Sequence, residues 1–176
     1  SDLGAQGRVV VTATRSGNEV NFSRFGRFLS QAVNDLSIDI DHDKEVSLLE
    51  AFLAATAQTE RFYEEDARLT TEHALLDDNG DQAGITADFY RGIRPVKKPA
   101  KNVTIDGSNA ARIIVMTSPD SPIFTEKLNA ERLAIESKLD ELRKRRPKMI
   151  ESEYLDELEK LMLDMAKVYE TAESNP

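Results

Sequence analysis

The chain has 176 residues, of which 40% are hydrophobic and 31% charged, and its formal net charge is −9. That balance belongs to a globular chain long enough to bury a core, and no apolar run approaches the roughly 18 residues of a membrane helix. The acidic excess argues against a general nucleic-acid or anionic-membrane binder and suits cations. With no cysteine there is neither a disulfide nor a thiol nucleophile.

Gly7 to Thr14 is a short β-branched run bounded by Gly7 and by Ser16-Gly17, which reads as a buried strand of the kind found in α/β sheets. Phe22, Phe25, Leu29, Ala32, Val33 and Leu36 follow helical spacing and predict an amphipathic helix over 23–36. An acidic stretch comes next, then a second helix from Ser47 to about Asp66. Residues 67–78 read as partly extended, and Asp77-Asp78-Asn79-Gly80-Asp81 as a turn. Residues 87–93 suggest a short helix stopped before Pro95. Pro95, Pro99, Gly107 and three lysines make 94–121 a linker or surface loop around the apolar run Ile113–Met116.

The last third is rich in Glu, Lys, Leu and Arg. Leu155, Leu158, Met162, Met165 and Tyr169 step by three and four, a heptad seam, and Leu128, Ile135, Leu139 and Leu142 offer a matching stripe. Pro147 breaks the helix between them, so 122–176 is expected to form an antiparallel helical hairpin. The expected class is therefore α/β over 1–93, a linker over 94–121, and a hairpin.

Within the acidic stretch, Asp39–Glu50 has the ligand spacing of an EF-hand calcium loop. Calcium takes six to eight hard oxygens, supplied from loop positions 1, 3, 5, 7, 9 and 12. Those positions are Asp39, Asp41, Asp43, Glu45 through its carbonyl, Ser47 directly or through water, and Glu50; position 8 is the apolar Val46. Position 6, normally Gly because φ is positive there, is Lys44, which weakens the site by about 1–2 kcal/mol of backbone strain. A metal-free account also exists. Ser47-Leu48-Leu49-Glu50 is a capping box, and carboxylates before a helix suit its dipole. That account leaves the alternation of Asp39, Asp41 and Asp43 unexplained, since clustered carboxylates repel. A weak calcium site suits a calcium-rich extracytoplasmic setting better than a cytosolic sensor.

Other candidates are weaker. Asp77, Asn79 and Asp81 begin a second pattern of this kind, but Gly84 and Asp88 break it, and a turn is the better reading. His73 beside Glu72 has no cysteine to activate, and His42 reads as solvated. Arg143 to Lys148 is a basic run that suits a helix C-terminus. Thr14, Arg15 and Ser16 follow the first strand, where α/β sheets bind ligands; they line a cleft or form an ordinary loop.

The order of these segments resembles a known family. Val9-Val10-Val11-Thr12-Ala13-Thr14-Arg15-Ser16-Gly17, the Asp39-x-Asp41-x-Asp43 loop running into Val46-Ser47-Leu48-Leu49-Glu50-Ala51-Phe52, and Thr71-Glu72-His73-Ala74-Leu75-Leu76-Asp77-Asp78-Asn79-Gly80-Asp81 are similar to the C-terminal half of bacterial caspase-like, legumain-type cysteine peptidases, as is the Glu/Leu-rich helical pair. The resemblance implies a partial caspase-like sheet with flanking helices. It also implies that catalytic His and Cys residues lie on earlier strands, so that a partner chain or domain bears them. Thr14, Arg15 and Ser16 would then lie near the pocket for the substrate side chain before the cut bond. The resulting expectation is a non-catalytic, calcium-binding portion or processed subunit of a peptidase acting on a peptide substrate; the alternative is a freestanding calcium-binding protein-interaction module.

Overall fold

Two local signals build the first half of the molecule: the apolar stripe of 25–32 and the helix start at Ser47. The computed structural model describes residues 3–15, 23–99, 101 and 103–174, and the chain forms two units, Ser1–Pro119 and Asp120–Pro176. In the first, helix α1 (Phe25–Ala32) packs on helix α2 (Leu48–Glu65). Phe25, Leu49, Ala51, Phe52 and Ala55 form the centre of the core with Leu76 and Ala110. Phe25 and Phe52 meet edge to face, their ring centroids 6.1 Å apart, the arrangement that ring quadrupoles favour.

Helix α1 ends at Ala32, short of the expected Leu36. Asp35 takes an extended backbone and its side chain accepts a hydrogen bond from Ser37 N at 2.9 Å. This local bond competes with helix continuation and starts a single 3-10 turn, Leu36–Ile38. Helix α2 begins at the residue after Ser47, as its capping box dictates.

The strands are short. β1 (Val10–Thr12) pairs antiparallel with β3 (Leu75–Asp77), with Val11 opposite Leu76. β2 (Glu45–Ser47) pairs antiparallel with β6 (Ile114–Thr117), with an irregularity between Val46 and Ser47. β4 (Tyr90–Arg91) and β5 (Arg94–Pro95) form a tight hairpin, its turn opened by Gly92 at φ +57°, a conformation glycine takes without strain. The class is thus mixed α/β, built among the described residues from two-stranded antiparallel ladders. β1 is half-buried where full burial was expected. The short helix expected over 87–93 is a 3-10 turn, Ala87–Phe89, leading into the hairpin. Residues 94–119, expected as part of a linker, fold into the first unit instead: β6 completes a ladder there, and Ala110 is wholly buried in the core.

The second unit is the expected hairpin. Thr125 caps helix α3 (Glu126–Arg145) by accepting from Leu128 N at 3.3 Å, and the turn Arg146–Lys148 with Pro147 leads into helix α4 (Glu151–Glu173). Leu128, Ile135 and Leu139 of α3 pack with Val168 and Ala172 of α4, joined by Leu158, Leu161 and Met165. The seam shares Leu158 and Met165 with the one predicted but is rotated from it at the remaining positions. Leu155 and Met162 are 53% and 51% exposed, and the stripe steps instead through Leu158, Leu161, Met165, Val168 and Ala172. Both series satisfy three-four spacing, and packing against α3 selects the second. The basic run stays within the hairpin: Arg145 pairs with Glu157 at 2.6 Å, and Arg146 lies over the Tyr154 ring. No helix among the described residues is long and apolar enough to cross a membrane.

Candidate metal centre

The acidic loop is organised by its own backbone amides. Asp39 accepts from Asp43 N at 3.2 Å through Oδ1 and from Lys44 N at 3.0 Å through Oδ2. Asp43 in turn accepts from Glu45 N at 2.8 Å. These short-range bonds curl the loop, and one oxygen each from Asp39, Asp41 and Asp43 comes within 4.8 Å of the others. Among the described residues this is the one group of three acidic or imidazole ligands able to hold a metal. Lys44 has φ +72°, the left-handed backbone that its place in the loop demands. Val46 is wholly buried, as the apolar eighth position requires.

The other expected ligands stand apart from the three Asp side chains. Glu45, expected to ligate through its carbonyl, lies on β2 with its side chain buried. Glu50 is 3% exposed and already used by the protein. Its Oε1 accepts from Ile40 N at 2.7 Å, and its Oε2 accepts from Ser47 N and Ser47 Oγ, both at 2.8 Å. Ser47 Oγ returns the bond by accepting from Glu50 N at 3.2 Å. The capping box and the loop therefore coexist, with Glu50 tying positions 2 and 9 together. The entering side also differs from expectation, since the 3-10 turn Leu36–Ile38, not a helix, runs into Asp39.

The electrostatics follow from crowding. Burial, with the charges of Glu50 and Asp39, raises the pKa of Asp41. Burial pushes Asp43 up to about 7, against the pull of the Glu45 amide and with the added repulsion of Asp41, Glu45 and Asp39. A hard cation relieves this repulsion, and an all-oxygen donor set is what calcium takes. Asp39, Asp41 and Asp43 could hold such a cation as they stand; Glu50 stands outside that group, its oxygens accepting three hydrogen bonds.

The remaining candidates separate. Thr14 is half-buried, with its carbonyl accepting from Thr12 Oγ1 at 3.0 Å, Arg15 is exposed, and Ser16 lies outside the described residues. His73 and His42 are exposed. The Asp77 carboxylate caps its own turn, accepting from Gly80 N at 2.8 Å and Gln82 N at 3.2 Å, so the turn reading stands. Sequence reasoning missed two buried carboxylates, Glu72 and Asp106, each of which works on a distant segment and has no spacing signal. Comparison of the chain with protein-family models, curated proteins and solved structures finds no match.

Proposed function

We propose that the chain binds calcium through the Asp39–Glu50 loop and serves as the non-catalytic C-terminal portion of a caspase-like cysteine peptidase. The observation that carries the calcium reading is the convergence of Asp39, Asp41 and Asp43 in a loop whose Lys44 is held at positive φ. A left-handed lysine is strained, and the loop keeps it where an EF-hand loop needs glycine. Calorimetric titration tests the reading. Calcium affinity falls about tenfold or more in Asp39→Ala and in Glu50→Ala, as expected when a charged ligand is lost; binding that survives both changes sinks the assignment. Affinity also rises from pH 6 to pH 8, because Asp43 holds a proton below about 7 that the metal must displace.

The peptidase reading rests on the segment order quoted above and on β1, whose outer edge has no strand partner among the described residues. An adjoining strand from a chain bearing His and Cys can extend the ladder there. The loop after β1, including Thr14 and Arg15, would then help to wall the substrate cleft. Co-purification and sedimentation test this: stable association with such a chain is expected. A monomer that ignores it favours the second reading, a freestanding calcium-binding interaction module. The observation on that side is the core of the first unit, which closes around α1 and α2 without outside help.

A further inference from the structure

Asp106 belongs to the segment 103–112, which folds over the turn after β3. It is 2% exposed. Its Oδ1 accepts from Asp78 N at 2.9 Å and Asn79 Nδ2 at 2.7 Å, and its carbonyl accepts from the Tyr90 hydroxyl. Adjacent bonds fasten the same two segments. Asp78 Oδ2 accepts from Asn109 N at 2.7 Å and Ala110 N at 2.9 Å, and Thr104 N donates to Asp81 at 3.2 Å. Gly107 sits at φ +106°, and a Cβ there would collide with the Tyr90 hydroxyl, so only glycine fits where the segment passes Tyr90.

One atom breaks the pattern. Asp106 Oδ2 is buried and no donor reaches it among the described residues. The charged groups facing Asp106 from the turn are Asp77, Asp78 and Asp81; Tyr90 faces it from β4, and burial and the Asp78 and Asp106 charges keep that phenol protonated. No described lysine, arginine or histidine forms an ion pair with it. A bare anionic oxygen in such a place is expensive, and the charged groups nearest it are carboxylates. A proton on Oδ2 removes the charge and turns the one unmatched acceptor into a donor.

We propose that Asp106 is a proton-held latch: with its buried carboxyl protonated, the 103–112 segment is closed on the 77–83 turn, and loss of the proton releases it. Burial, reinforced by Asp78, Asp77 and Asp81 and opposed by the Asp78 amide, pushes this carboxyl up to about 7. A folded value raised above the ordinary one means stability is full below about pH 4 and is lost as pH rises through about 7. The released segment leads into β6, so opening reaches the ladder that β2 forms with it.

The test is Asp106→Asn, whose amide nitrogen stands in for the protonated oxygen. Thermal melts of wild type and variant are compared at pH 5 and pH 8, where the contribution of Asp43 is common to both proteins. The expected result is a variant melting at or above wild type at pH 8 while losing that advantage at pH 5. An equal loss at both pH values overturns the latch, as does stability of wild type at pH 8 that the variant lacks and that added calcium governs. Carboxyl carbon NMR of the unaltered protein gives an independent reading: an Asp106 midpoint near pH 7 is expected, and one below pH 5 rejects the proposal.

Discussion

Phe52→Ala is expected to lower the unfolding free energy by about 3–5 kcal/mol, the range for an aromatic truncated in a closed core. Phe52 is wholly buried on α2, against Phe25 of α1 and among Leu49, Ala55 and Leu76. Small side chains line much of that site, and alanines cannot reach into the space a ring leaves. A domain of this size is stable by about 5–15 kcal/mol, so the variant sits near the edge of folding. Phe52→Leu keeps most of the volume and is expected to cost less than about 1.5 kcal/mol. Urea melts measure both; a Phe52→Ala loss under about 1 kcal/mol would show that the core closes around the gap or does not depend on this ring.

The second large effect is expected at Glu72. Helix α1 begins at Phe25 with no capping side chain from Arg24, and Glu72 supplies the cap from the far side of α2. Its carboxylate accepts from Arg24 N at 2.8 and 2.9 Å, Phe25 N at 2.9 Å, Ser23 Oγ at 2.8 Å and the Tyr63 hydroxyl at 2.8 Å. Glu72→Ala strips the acceptor from four donors at once. With charged hydrogen bonds worth about 1.5–3 kcal/mol each and far from additive, a loss of about 2–4 kcal/mol is expected. The pH dependence has the opposite sign to that of Asp106. Burial pushes the Glu72 carboxyl up, but the Phe25 and Arg24 amides and the Tyr63 and Ser23 hydroxyls outweigh it and hold the carboxyl below its ordinary value. Its contribution is therefore full above about pH 4.5 and fades as pH falls through the folded value. Acid melts of wild type and Glu72→Gln should draw together as pH falls below about 4.5; a gap that does not narrow on acidification would refute the charged cap.

What the sequence disclosed tracks how local each determinant is. The start of α2 lies within four residues, Ser47 to Glu50, and is where the capping box puts it. The acidic loop is legible in part: Asp39, Asp41 and Asp43 come together, as their alternation suggests, and Lys44 takes the positive φ of the sixth position. The end of α1 escaped because Asp35 diverts Ser37 N, a choice between two local bonds of similar strength. The hairpin seam escaped because Leu155 and Leu161 satisfy the same periodicity, and only the face offered by Leu128, Ile135 and Leu139 chooses between them. Glu72 and Asp106 escaped for a different reason. Each spans a gap of tens of residues, and nothing in their neighbours along the chain marks them as buried.

Glu50 carries a consequence for how the loop responds to metal. One carboxylate accepts from the amides of Ile40 and Ser47 and is also, on the proposed calcium reading, the twelfth-position ligand. The two tasks compete for the same oxygens. On that reading a cation drawing on Glu50 competes with the amides at the start of α2, and the binding energy that calorimetry records would be net of that competition. Such a loop would be self-limiting, since a tighter helix start makes a poorer ion trap.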